Sequence, residues 1–468
     1  MKENNLVASV ALFSELYNSN KYSSPADIIA EFIKAAIITE NVWETNATDI
    51  NSLLAKVYNF HLPDSVIKTT LRTKCKGLYT VQVNGNLLFN ENVRKGYEEI
   101  HNKYENIAKI QSSVNEALVD FVKQKTNIDF TANSENEIIS SLHNFLFDKS
   151  IESKYTSVIS AFILSNKSNE TFTENLNLIR EGIILYQGIK YTADINELGK
   201  WNTELTIFLS TEHLFNCIGY NGSLFEQIFS DFFTLVSEIN LTGKNKYGEK
   251  LIKLRYFEET AKAVDAYFLK AENFMRGRSI NEFNQPALLS ILKGCKTPSD
   301  IVNKKITFFN LLKEKDILQY QIKQNIYNYS DYVVEGQNFL DELQKESKNA
   351  GHDFFDVSDA EQILKLFTKI NYLRDNNNAI GFENIGHIYI TADRFTLYLA
   401  NAVQSKMNNE YVPFAKNIDY ITNKFWFKLK KGFAVDSQIP ISFNVVTKAQ
   451  VVLSGQVKQR VSQAFIKI

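Results

Sequence analysis

Cysteine is nearly missing from this chain of 468 residues, and the three that occur, Cys75, Cys217 and Cys295, stand far apart. An odd number of scattered thiols with no His cluster beside them excludes a disulfide framework and a Cys/His zinc site, and fits a reducing compartment. Proline (6) and glycine (18) are scarce as well, which leaves little material for flexible linkers or low-complexity tracts. With 44% hydrophobic residues the chain reads as ordered and core-forming. No apolar run approaches the ~18 residues of a spanning helix. The start Met1-Lys2-Glu3-Asn4-Asn5 lacks the basic-then-apolar pattern of an export signal. The expectation is a soluble, cytoplasmic protein with no membrane partner. An excess of one charge is lacking too: 52 Lys+Arg oppose 53 Asp+Glu, so any nucleic-acid surface has to be a local patch.

What is present begins with a regular run of signals over residues 23–92. Ser24-Pro25-Ala26-Asp27 starts a helix through Phe32-Ile33 with a cap and a first-turn proline. Thr48-Asp49 opens a second, with Ile50, Leu53, Leu54, Val57 and Tyr58 at spacings of three and four. After the break His61-Leu62-Pro63-Asp64 a third helix places Val66, Ile67, Leu71 and Cys75 on one face and Lys68, Thr69, Arg72, Thr73 and Lys76 on the other. Two short strands, Leu78–Gln82 and Asn86–Phe89, then flank Val83-Asn84-Gly85, a hairpin turn. Helix, helix, turn, basic helix and hairpin resemble the winged helix-turn-helix family, on element order alone. The resemblance implies a nucleic-acid interface, with DNA or RNA as the partner, at Lys68, Thr69, Arg72 and Lys74, with cations on phosphates and threonine toward base edges. A protein-contact module and a merely solvated helix face remain the alternatives.

From Glu91 to Lys125 a polar helical stretch carries Tyr97, Ile100, Tyr104, Ile107, Ile110, Val114, Leu118 and Phe121 on one stripe. Such a stripe can serve as an arm or as the seam of a homo-oligomer. Further helices are expected over Ile138–Phe147, Tyr155–Leu164 and Asn175–Tyr186.

Beyond residue 200 the rhythm changes. The apolar run Glu204–Leu209 ends in Ser210-Thr211-Glu212 and a helix; Leu251–Tyr256 runs into Glu258-Glu259 and a helix. Phe355-Asp356-Val357-Ser358-Asp359 opens another helix, and Gly386–Ile390 ends on Thr391-Ala392-Asp393-Arg394 before one more. Alternating β and α units predict a parallel sheet flanked by helices, whose carboxyl edge collects these acids. Each acid is also an ordinary first-turn or capping residue. His213 and Cys217, at i,i+4 with no further partner, read as core. Phe425–Phe433 reads as an amphipathic strand that packs its aromatics, and Val445–Thr447 and Val451–Leu453 as closing strands.

The order of these units over residues 200–430 resembles the PIN-domain family of metal-dependent nucleases, carried mostly by Ile390-Thr391-Ala392-Asp393-Arg394 and Ser358-Asp359-Ala360. The resemblance implies three or four acids around Mg²⁺ or Mn²⁺, activating water against an RNA phosphodiester. Carried over by position, the acids are Asp393 and Asp359 or Asp356. The first falls on Ser210, with Glu212 as the substitute two residues on, and the helical glutamate on Glu258, Glu259 or Asp265. Metal ligation is expected at Asp393, Asp359 and Glu212, catalysis at these with Asp356 and Glu259, and phosphate contact at Arg394. The expected domains are a winged-helix module (1–92), a helical connector (93–200), a PIN-like α/β domain (201–435) with a helical insertion at about 276–348, and a strand-rich extension (436–468). The implied function is an RNA-cleaving toxin, defence effector or processing factor. The alternatives are a catalytically inactive PIN-like protein that binds nucleic acid or protein, and a winged-helix transcriptional regulator.

Overall fold

The structure is a computed structural model that describes residues 2–19, 21–125, 131–147, 154–190, 200–278, 285–322, 330–334, 336–349, 355–377, 381–407, 411–429 and 439–454. These divide into two compact units, one from residues up to 199 with 426–454, the other from 200–425. None of the described helices is long and apolar enough to cross a membrane.

The first unit runs α1 (Lys2–Asn18), α2 (Pro25–Thr39), β1 (Glu44–Thr45), α3 (Ala47–Tyr58), α4 (Asp64–Thr73), β2 (Tyr79–Val81), β3 (Leu87–Phe89), α5 (Tyr97–Lys125), α6 (Ala132–Leu146), α7 (Thr156–Ser165) and α8 (Glu170–Lys190). Local chemistry sets the boundaries of the middle elements. Pro25 occupies the first turn of α2. The Asn46 side chain accepts from the Thr48 and Asp49 N–H groups at the start of α3, which ends on Asn59 in the left-handed region at φ 56°. Gly85, at φ 82°, turns β2 into β3. The expected hairpin gains a third strand, β1, antiparallel to β3. The first helix escapes the sequence pattern because it is buried on nearly every side, Ser9 and Ser14 as well as Val7, Val10, Leu12, Phe13 and Leu16, so no regular polar stripe marks its period. It lies against α8 at Gly182, where even a Cβ would stand 1.8 Å from the Val10 carbonyl oxygen. The stripe of α5 is buried within this unit at Ile100, Ile107, Val114 and Leu118.

The second unit runs β4 (Leu205–Leu209), α9 (Thr211–Cys217), α10 (Ser223–Thr242), β5 (Ile252–Tyr256), α11 (Glu258–Met275), α12 (Pro286–Leu292), α13 (Pro298–Glu314), β6 (Leu318–Gln319), α14 (Gln337–Asn349), α15 (Val357–Arg374), β7 (His387–Ile390), α16 (Arg394–Met407), β8 (Ala415–Lys416) and α17 (Ile418–Lys428). Its five strands are parallel, in the order β6-β5-β4-β7-β8. This is an α/β domain with a parallel sheet flanked by helices. On one face Phe208 stacks on Phe257 at 4.1 Å between centroids, and both pack with Leu364, Phe367 and Ile370 of α15 and Leu399, Ala400 and Val403 of α16. Buried Arg374, at the end of α15, donates to the carbonyls of His387, Val412 and Pro413 at 2.7–2.9 Å, tying the start of β7 to the chain entering β8.

Three expectations are corrected. The insertion at 276–348 is not wholly helical: it contributes β6, whose two residues are too few to show alternation. The segment from Phe425 is no strand, since α17 reaches Lys428 after the Asn417 side chain accepts from the Tyr420 N–H at 2.9 Å; Lys430–Phe433 lie outside the described residues. The Val-rich tail is helical over 445–454 instead of forming closing strands. There the Asn444 side chain accepts from the N–H groups of Val446 (2.9 Å) and Thr447 (3.2 Å), and this cap outweighs β-branched propensity.

Candidate functional site

The order of the strands fixes where a ligand would find room. The chain builds outward from β4 through β5 to β6, then returns to the other side of β4 for β7 and β8. Loops leaving β4 and β7 therefore diverge, and the crevice at the carboxyl ends of these two strands is the topological switch point. Ser210 follows β4 directly, its N–H on the Ile390 carbonyl at 3.1 Å, while Thr391-Ala392-Asp393 follows β7.

Glu212 and Asp393 meet at this crevice. The Glu212 Oε1 accepts from the Thr391 hydroxyl at 2.8 Å and the Ala392 N–H at 2.7 Å. The Thr391 oxygen in turn accepts from the Asp393 N–H at 3.0 Å. The Asp393 Oδ2 accepts from the Thr396 N–H (2.7 Å) and hydroxyl (2.6 Å), which makes Asp393 the cap of α16. Tyr389 lies beside both carboxylates, with Ser210 and Thr260; burial, then Glu212 and Asp393, push its phenol upward. Burial opposes the charge on Glu212, but the adjacent His213 and the surrounding donors hold its carboxyl below the ordinary glutamate value. Burial drives the His213 imidazole down, against the opposing pull of the Glu212 carboxylate beside it. That ring is 1% exposed; its Nδ1 faces the Asn216 amide at 3.4 Å and its Nε2 has no partner.

The remaining expected acids are placed elsewhere. Asp356 caps α15, accepting the Asp359 N–H at 3.0 Å, and both residues are exposed. Glu259 pairs with Lys369 of α15, Glu258 with Lys262 and Asp265 with Lys305. Among the described residues no three of His, Cys, Asp and Glu come together as a metal site needs. Two carboxylates and a serine at the crevice do not make up the acidic set that a two-metal site requires. Arg394 is exposed in the first turn of α16.

Sequence reasoning missed two residues here. Tyr389 looked like one more apolar strand position, and the bond from Thr391 to Glu212 spans 179 residues, which no local pattern records. Lys416, ending β8, was missed too: its Nζ donates to Asn401 at 3.2 Å and lies over the Tyr420 ring, and burial lowers its pKa to about 8.

In the first unit, α4 buries Val66, Ile67, Thr70 and Leu71 and leaves Lys68, Arg72 and Lys74 exposed, with Thr69 half-buried. Lys74 is committed to Asp27 at 2.7 Å. Lys68, Arg72 and the following Lys76 make no ion pair among the described residues. Beside them the hairpin exposes Val81 (69%) and Val83 (fully).

Comparison with protein-family models, with curated proteins and with solved structures finds no match to this chain.

Proposed function

We propose that the chain binds nucleic acid through α4 and the β2–β3 hairpin, and that its second unit is a PIN-like domain whose edge acids serve the fold instead of a metal. The observation that carries this reading is the face of α4 and the turn after it: Lys68 and Arg72 on the helix and Lys76 just beyond it are held in solvent with no ion-pair partner among the described residues, while the opposite face of the helix is fully packed. Cations with no intramolecular role are available to phosphates, and each phosphate neutralised steepens the salt dependence of binding. The test is fluorescence anisotropy with labelled duplex DNA and single-stranded RNA over a salt series, for the protein and for Lys68→Ala/Arg72→Ala/Lys76→Ala. Loss of three phosphate contacts should weaken binding at least tenfold and cut the salt slope by about two to three. Equal binding by the variant on both probes refutes the reading.

A second reading, metal-dependent RNA cleavage, is favoured by Glu212 and Asp393 both bearing on Tyr389. It predicts cleavage with Mn²⁺ or Mg²⁺ that vanishes in Asp393→Asn. A folded protein that cleaves nothing and gains no thermal stability from either metal removes it.

A further inference from the structure

The turn that carries the chain from α10 into β5 lies at the amino edge of the parallel sheet, at the other end of the strands from the crevice. At its tip Tyr247 is 74% exposed. A single exposed tyrosine is ordinary; this one is held out by a tightly bonded backbone. The Asn245 side-chain oxygen accepts from the N–H groups of Tyr247 (3.0 Å) and Glu249 (2.8 Å). The Asn245 N–H donates to the Glu249 carbonyl and the Gly248 N–H to the Asn245 carbonyl, both at 3.0 Å, with Gly248 at φ 78°. At the base of the turn Lys244 and Lys250 pair across an antiparallel bridge. Little backbone freedom is left to lose when a ligand settles on the ring.

The charge around the ring is one-sided. Lys246 lies over it, with Nζ 4.9 Å from the centroid. Neither Lys244 nor Lys246 has an ion-pair partner among the described residues. The one acid of the turn, Glu249, is engaged by Lys253 at 2.7 Å, and Lys250 is engaged by Asp316 at 2.9 Å. Two unopposed cations beside an exposed flat ring complement a polyanion that carries flat rings of its own. In a duplex both faces of an internal base are covered by its neighbours, whereas a single strand offers an unstacked base and its phosphates together. A protein partner would call for apolar residues around the ring, and the turn surrounds it with Lys, Asn and Gly.

We propose that residues 244–250 form a contact for single-stranded nucleic acid, in which Tyr247 stacks on one unpaired base while Lys244 and Lys246 meet the phosphates beside it. The contact belongs to the second unit and does not depend on α4.

The test uses the full chain carrying Lys68→Ala/Arg72→Ala/Lys76→Ala, so that α4 does not contribute. Fluorescence anisotropy is measured with a short labelled single-stranded RNA, a single-stranded DNA of the same sequence and the matching duplex DNA. The single strands should bind, and adding Tyr247→Ala should weaken them about tenfold, within the range lost when one stacked base is given up, while leaving the duplex unchanged. Tyr247→Phe keeps the ring and should bind as before. Lys244→Ala/Lys246→Ala should cut the salt slope for the single strands by about 1.4, the share of two phosphates. All three side chains are exposed, so the variants should melt with their parent. Absence of single-strand binding, unchanged affinity in Tyr247→Ala, a loss in Tyr247→Phe as large as in Tyr247→Ala, or an equal loss on the duplex overturns the proposal. The role of α4 is read separately, from the step between the unsubstituted protein and its triple variant, so either reading can fail without the other.

Discussion

The exposed face of α4 and the carboxyl edge of the parallel sheet are both rich in charge, and they treat it in opposite ways. On α4 and in the turn after it the cations Lys68, Arg72 and Lys76 have no ion-pair partner among the described residues. At the sheet edge Glu212, Asp393 and Glu259 each hold a donor of the chain itself. A charge held inside the molecule contributes to stability and is withdrawn from ligands; a charge left in water contributes almost nothing to stability and stays available. The contrast predicts that substitutions at the edge are read in folding and substitutions on α4 in binding.

The hardest way to break that contrast is to remove what supports the edge. Phe208→Ala, at a fully buried position stacked on Phe257, should cost about 3–5 kcal/mol in chemical denaturation; a cost below about 1 kcal/mol would mean that the sheet is not packed as described. Acid comes next. Burial and the nearby Arg374 lower the pKa of His387, at the start of β7, from 6.5 to about 4. The unfolded chain therefore takes up this proton more readily than the folded one, and stability should fall as pH drops from about 6.5 toward 4. His387→Gln should flatten that part of the curve, measured as melting temperature against pH. Removing the cap with Asp393→Ala should cost about 1 kcal/mol. If that variant melts like the parent but loses a metal-dependent cleavage, the edge is a site and the contrast fails. Smallest of all, Lys76→Ala should leave stability within about 0.5 kcal/mol while lowering the salt slope of nucleic-acid binding by about one.

Sequence reading recovers what local physics writes down. The helices and hairpin of residues 23–92 and the strands β4, β5 and β7 with their following helices fall where caps, turns and periodicity put them. It fails at three kinds of position. The two-residue strands β6 and β8 exist only because a neighbour pairs with them. α1 hides its period by being buried on nearly every side, its serines included. The tail helix carries strand-forming valines that one asparagine overrides. Of the candidate site, the presence of Glu212 and Asp393 at one edge was legible from Ser-Thr-Glu and Thr-Ala-Asp after apolar runs. Their engagement was not, because the partner of Glu212 arrives from a strand far along the chain. Lys68 and Arg72 were legible as the polar face of an amphipathic helix. The ion pair of Lys74 with Asp27 was not legible, because its partner comes from a different helix.

The central position of β4 carries a consequence for how the chain is made. Its apolar residues Leu205–Leu209 leave the ribosome first among the five strands, yet pair on one side with β7, from Thr206 opposite His387 to Leu209 opposite Ile390. At a synthesis rate of about 5–20 residues per second, the intervening chain takes roughly 10–35 s to appear. For that interval one edge of β4 has no permanent neighbour, and the helices α12 and α13 that separate β5 from β6 lengthen the wait. Long-range parallel pairing of this kind is slow and exposed to misassociation. Soluble yield should therefore respond to expression temperature and chaperone supply more sharply than the stability of the finished fold would suggest.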